Sequence, residues 1–242
     1  MTLIGTLFRN RRAGEARSVW NQPNLRAPET LSVASVAFAD GARMPVEHSG
    51  RRVGGRNLSP PLAWSAPPAG TAQLLLVVED LDVPMRRPLV HCLALVEPAE
   101  LASPGGLPEG ALSGPAPAPG VCLLRSFIGH GYKGPEPLKG HRPHRYVFEL
   151  FALAAALPPT LTGTALDRTK PRGVLERVSV PLLCARAPDR HLRALTDSGR
   201  RGARRRARRS PGFAPPTDCL RSAVPSTRRV RSRRGTQRRP RV

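Results

Sequence analysis

A few side chains in three short stretches could do chemistry together. "VVEDLDVP" places Asp80 and Asp82 two residues apart at the end of an apolar run. "PLVHCLAL" sets His91 inside a second apolar run. "HRPHRYVFELFAL" brings His141, His144, Arg145 and Tyr146 to the head of a third. Residues i and i+2 of a strand share a face. Two carboxylates placed so repel each other unless a cation, a proton or a donor lies between them. Histidines suit that task, because protonation near neutral pH turns them into charged donors. "GYKGPEP" adds Gly134 and Pro135, and a residue without a side chain lets backbone N–H groups approach an anion.

Each piece alone has a plain explanation: a core histidine, a turn aspartate, a flexible loop. Their convergence predicts a small pocket for a phosphate-like or carboxylate head group. The acids would hold the imidazole tautomers or accept from a ligand's ammonium or hydroxyl. No serine or cysteine stands beside a base, so binding is favoured over covalent catalysis, no catalytic residue is assigned and no cofactor is called for. A helical H-x-x-H metal pair is ruled out by Pro143 and the neighbouring Gly and Pro residues. One enzymatic alternative is phosphoryl transfer with Asp80 as nucleophile, since D-x-D after an apolar strand is how haloacid-dehalogenase-type phosphatases begin. Those enzymes need Mg²⁺ and a later acidic pair, and the acids after Glu149 are isolated.

Strands must position these groups. "TAQLLLVVED" (71–80) reads as a central strand buried on both faces, because its apolar run is unbroken. "PLVHCLALVEP" (88–98) and "RYVFELFALAA" (145–155) read as two more, and "LSVASVAFADG" (31–41) as a strand into a turn. "SPPLAW" (59–64) is loop and short strand, expected to line the pocket's underside, with Trp64 buried and one cis X–Pro bond at Pro60 or Pro61. The only convincing helical stretch is 163–183, interrupted at Pro171. With 28 Pro, 22 Gly and few aromatics, the chain reads as β-rich and loop-rich.

The 242 residues carry a net charge of +22, unevenly spread. Residues 184–242 hold 19 Lys/Arg against 3 Asp/Glu. Three parts are expected: an N-terminal arm (1–28) that packs locally or is mobile, a domain (29–186), and an Arg-rich, disordered tail (187–242). Such a tail allows nonspecific nucleic-acid affinity through charge, but no motif marks a specific role. Four widely spaced cysteines form no C-x-x-C and read as reduced thiols. No apolar run reaches membrane-span length, and the charge order at the start is the reverse of a signal peptide's, so the expected location is cytoplasmic.

"NLSPPLAW", "VVEDLDVP", "PLVHCLAL", "GYKGPEP" and "PHRYVFELFAL" occur in that order. In order and spacing the chain resembles the phosphatidylethanolamine-binding protein family, most of all its bacterial Raf kinase inhibitor-like branch, over about residues 30–183. The resemblance implies two antiparallel sheets with Greek-key connections and a few peripheral helices. It also implies an anion pocket and a possible protein partner. By motif, Asp80 and Asp82 match the acids of D-P-D-A-P, His91 the strand histidine, Gly134 and Pro135 the G-P loop, and His144, Arg145 and Tyr146 the H-R-Y. Leu81, Val83 and Cys92 depart from the pattern, so the acids lose a φ restraint and the pocket wall thins.

The family's G-T-Y-x-R ending is absent, and "APDRHLRALT" (187–196) stands in its place. One permitted codon choice for Asp189–Thr196, read one nucleotide later, gives T-G-T-Y-E-R and a stop. The expectation is therefore a chain that left its ancestral frame shortly before Asp189, with a core lacking its final strand or C-terminal peptide.

Overall fold

The computed structural model describes residues 3–103, 105–114, 117–158, 175, 182–186 and 192–196. Eleven strands are among them: β1 (Glu29–Leu31), β2 (Val33–Ala34), β3 (Leu62–Trp64), β4 (Gln73–Asp80), β5 (Leu89–Val96), β6 (Gly106–Leu107), β7 (Val121–Ser126), β8 (Gly129–His130), β9 (His144–Leu153), β10 (Leu182–Arg186) and β11 (Leu192–Thr196). The large sheet runs β1-β10-β9-β4-β5-β7-β8, with β11 also on β9, and the small sheet runs β2-β3-β6. The described pairings are antiparallel except β1 with β10.

All eight residues of β4 are buried. Their alternation divides them between two cores, as the period of a strand requires. Leu74, Leu76 and Val78 join Leu62, Trp64 and Leu107 of the small sheet. Leu75 and Val77 face the other way and pack with Val19 and Leu25. The N-terminal arm is thus the cover of the sheet's second face rather than a loose appendage. It folds as one short helix, α1 (Leu3–Leu7), and three 3₁₀ turns ending at Leu25. Complete burial of Val19 and Leu25 contributes roughly 1.5–3 kcal/mol for each side chain.

Trp64 is buried as expected, in the core between the sheets that also contains Tyr146. Every described peptide bond is trans, which corrects the expected cis proline. The "SPP" segment needs no tight turn. Its polar atoms are met in an extended path: Ser59 N–H donates to Ser113 Oγ, Ser59 Oγ accepts from Leu112 N–H, and Pro61 O accepts from Ser35 Oγ.

The sheet also extends past residue 186. β11 pairs with β9 from Leu192↔Phe148 to Thr196↔His144, and β10 pairs with Phe151–Leu153 farther along the same strand. These residues add a strand to the sheet beyond residue 186, where the domain was expected to end. The residues beyond Thr196 and most of the helical stretch at 163–183 lie outside the described residues, while Leu182 and Leu183 are strand. Ala194 is fully buried opposite Tyr146. Ala194→Asp should therefore lower the unfolding free energy by about 3 kcal/mol or more in urea titrations. An unchanged midpoint would remove β11 from the sheet.

Candidate functional site

Three carboxylates leave β4 within four residues, and each finds a different partner. Glu79 faces the arm, where its Oε2 accepts the Val19 N–H at 2.7 Å. Asp80, one residue on, faces the opposite side. Its Oδ2 lies 2.7 Å from His144 Nδ1, and its Oδ1 accepts the Asp82 N–H at 2.9 Å. Asp82 is gripped by Arg145: Nε to Oδ2 at 2.8 Å, Nη2 to Oδ1 at 2.9 Å, and the Arg145 N–H to Oδ2 at 2.9 Å. Arg12 of the arm stands 3.6 Å from the same carboxylate. Burial works against charge on Asp82, but the Arg145 hydrogen bonds and the two guanidiniums outweigh it and hold the carboxyl below its ordinary range. The repulsion expected between Asp80 and Asp82 is thus relieved by one imidazole and one guanidinium.

The His144 ring is held at both nitrogens. Its Nε2 lies 2.8 Å from His141 Nδ1. His141 Nε2 in turn points at two acceptors of the arm, Phe8 O at 2.9 Å and Arg11 O at 3.1 Å. Carbonyls only accept, so this nitrogen carries a proton. Hydrogen bonds in series from the arm to Asp80 then require three protons on two imidazoles and one carboxylate.

His91 is aimed by an irregularity. Val78 pairs with Cys92 and Glu79 with Val90, which leaves His91 as the extra residue of a β-bulge. In regular alternation with Cys92 its ring would face the arm side of the sheet. The bulge instead turns it onto Tyr146, with ring centroids 5.0 Å apart and edge-on. The Lys133 N–H donates to His91 O, and His91 Nδ1 donates to Lys133 O at 2.7 Å. His91 Nε2 is buried and has no hydrogen-bond partner. Burial lowers the pKa of this histidine, an effect partly offset by Asp80, so the ring is held toward its neutral form.

Tyr146 closes the group. It pairs with Asp80 across the sheet and is 1% exposed. Burial, and then the Asp80 carboxylate, keep its hydroxyl protonated. Thr196 of β11 brings its buried hydroxyl toward the phenol without a good hydrogen bond of its own.

Of the residues singled out in the sequence, Asp80, His91, His144 and Tyr146 meet in one buried cluster. Asp82 stands beside it but is spent on Arg145. Gly134 and Pro135 serve packing. The Gly134 N–H donates to Asn57 Oδ1 at 2.7 Å, and a side chain at Gly134 would run into the Ser49 and Gly50 backbone. Pro135 O accepts the Gly50 N–H. Asn57 can sit there because it adopts a left-handed φ of 60°. Sequence reasoning missed the arm carbonyls, the bulge, Asn57 and Thr196. Only the tight spacing of His141, His144 and Arg145 hinted at the relay. Among the described residues no set of His, Cys, Asp and Glu is arranged to hold a metal ion. The side chains of Asp80, His91, His144 and Tyr146 are buried, and two surface clefts among the described residues lie between the arm and the β4–β5 loop.

Comparison with known proteins matches residues 34–180, well over half of the chain, to the family model "Phosphatidylethanolamine-binding protein". The chain is 36% identical over 148 residues to the UPF0098 protein Mb1945c of Mycobacterium bovis, covering 60% of this chain and 64% of that one. It is 40% identical over 142 residues to the putative lipoprotein LppC of Mycobacterium tuberculosis, covering 57% and 63%. The matches therefore span slightly less than two thirds of these relatives' own lengths. YbhB of Escherichia coli is 37% identical over 127 residues, covering 51% of this chain and 78% of that one. Among solved structures, Escherichia coli YbcL, described as a member of the mammalian PEBP family, superposes with a TM-score of 0.51 at 25% identity, covering 68% of this chain and 96% of that one. A Chlamydia trachomatis homologue, CT736, at 24% identity and TM-score 0.53, covers 70% and 98% and shares the fold.

The depressed pKa of Asp82 makes a signed prediction. A carboxyl lowered in the folded state stabilises above its unfolded pKa, and that contribution fades as pH falls through the folded value. Asp82→Asn should destabilise the protein by about 3 kcal/mol near neutral pH, because it strands a partly buried guanidinium. The gap between wild type and variant should be flat above about pH 5 and shrink below the ordinary carboxyl value of 3.8. Urea titrations across pH measure it, and a gap that widens in acid would contradict the assignment.

Proposed function

The chain belongs to the phosphatidylethanolamine-binding protein family, and we propose that it binds a small phosphate-like or carboxylate anion at the cluster of Asp80, His91, His144 and Tyr146. Members of the family bind small ligands. The observation that carries the reading here is His91 Nε2, a buried ring nitrogen with no partner. A polar atom left so costs about 1–3 kcal/mol, and a ligand that meets it recovers that cost. The bulge and the Lys133 carbonyl fix the ring so that this one atom is presented.

Proton accounting refines the ligand. With Nδ1–H committed to Lys133 O and the ring held neutral by burial, Nε2 offers a lone pair. An anion can meet it only if one proton lies between them. Either the imidazole takes up a proton and donates, or a monoprotonated phosphoryl or carboxyl group donates its own O–H. The Tyr146 hydroxyl, hydrogen-bonded to Asp80, stands beside the same ring. The Asp80 carboxylate is turned to His144 Nδ1 and the Asp82 N–H. Phosphoryl transfer through Asp80 is less well supported, since both carboxylate oxygens are engaged.

Affinity for phosphate or a phosphomonoester should weaken as pH rises, because the shared proton is lost. Calorimetry in two buffers of different ionisation enthalpy should report uptake of about one proton per dianion bound. His91→Ala should weaken binding about 10- to 100-fold, the worth of a charge-assisted hydrogen bond, and abolish the uptake. Equal affinity in His91→Ala and wild type would overturn the reading.

A further inference from the structure

The arm's first helix is mounted inside out. In a globular protein a one-sided helix turns its apolar residues to the core. In α1 the face against the protein is Gly5, which is buried so tightly that a Cβ would collide with the Lys139 carbonyl. Leu3, Ile4 and Leu7 are 89%, 61% and 80% exposed. This orientation is not slack. His141 holds the carbonyls of Phe8 and Arg11, and the N–H groups of Ala13 and Gly14 donate to Val83 O and Leu81 O. The backbone is fixed from the helix to residue 14, and the three aliphatic side chains are fixed outward with it.

Cations flank this apolar point. Arg9, Arg11 and Arg12 follow the helix with exposed side chains. A cleft of about 820 Å³ joins Arg11 and Arg12 to Arg17, Met85 and Arg86 of the β4–β5 loop. Met85 is itself 49% exposed. No acid lines that cleft.

We propose that this face, α1 with the arginines of the arm and the β4–β5 loop, docks on a bilayer surface carrying anionic phospholipids. Aliphatic side chains projecting from a basic rim are what such an interface accepts: the apolar tips enter the acyl boundary and the guanidiniums meet phosphates. Single-stranded nucleic acid would call for aromatic platforms, and the projecting side chains are aliphatic. A protein groove would call for a longer row of anchors than one helical turn supplies. Helix α1 and the arm's arginines lie N-terminal to the family match at 34–180, while Met85 and Arg86 lie inside it, and the proposal does not rest on anion binding at the buried cluster. The described residues contain no helix long and apolar enough to cross a membrane, so the contact is with the surface.

The test uses the full chain and vesicles of phosphatidylcholine with about 30% phosphatidylglycerol, beside phosphatidylcholine alone. The Arg-rich residues after Thr196 attract anionic vesicles by charge, so the readout is the binding that survives about 0.5 M NaCl, where the Debye length falls to about 4 Å. Wild type should retain binding there, and Leu3→Ser/Leu7→Ser should lose it by about tenfold or more. Both positions are exposed, so folding is not at stake. Leu7→Trp should shift its emission to the blue on the mixed vesicles and not on phosphatidylcholine alone. Arg9→Glu/Arg11→Glu should weaken binding at low salt. Salt-resistant binding unchanged by the double serine variant, or no emission shift from Leu7→Trp, overturns the proposal. So does a serine variant that only converts a dimer to a monomer, which would make the face a contact between two copies.

Discussion

A carboxylate removed from water must be met by donors or by opposite charge. The carboxyl end of β4 buries Glu79, Asp80 and Asp82 almost completely, and the surrounding structure is arranged around those three demands. Glu79 ties down the arm through the Val19 N–H. Asp80 fixes His144, and through it His141 and the arm's carbonyls. Asp82 fixes Arg145, which heads β9. A strand ending that looks like a solvated turn in the sequence is the point at which the arm, β4 and β9 are joined.

Much of this was legible before any coordinates. The apolar runs of β4, β5 and β9 are long and unbroken, and burial on both faces follows from that pattern alone. The meeting of Asp80, His91, His144 and Tyr146 followed from polar residues at the ends of neighbouring strands. What escaped depends on pairing. A bulge at His91 shows only in the register against β4, and without it the ring would face the wrong side. "LRALT" is short and stands in an Arg-rich segment, so it does not read as a strand. It becomes β11 because β9 has backbone groups there to pair. The arm read as polar because its buried residues, Val19 and Leu25, are few and separated. Gly134 was credited with an open N–H when its missing side chain is a packing requirement.

The same contacts that stabilise the cluster also occupy most of its polar atoms. His144 has no ring nitrogen left over, so its task is to position and neutralise Asp80. Of the four cluster side chains, only His91 keeps a buried polar atom without a hydrogen-bond partner, its Nε2. The arm carries the last two acceptors of the relay and also the outward-facing helix. A displacement of the arm would release His141, and through it the proton balance at Asp80. The arm and the buried cluster are therefore joined by hydrogen bonds through His141.

The account turns on the protonation of one ring. Nitrogen-15 spectra of histidine-labelled protein, recorded near neutral pH with and without phosphate, resolve the tautomer and charge of each imidazole. The ligand-free spectrum should show His91 neutral with its proton on Nδ1. Saturating phosphate should move its Nε2 resonance, either to the protonated position or to that of a nitrogen accepting a strong hydrogen bond. A His91 that is already doubly protonated without ligand, or one whose Nε2 resonance does not respond to phosphate, would contradict the account.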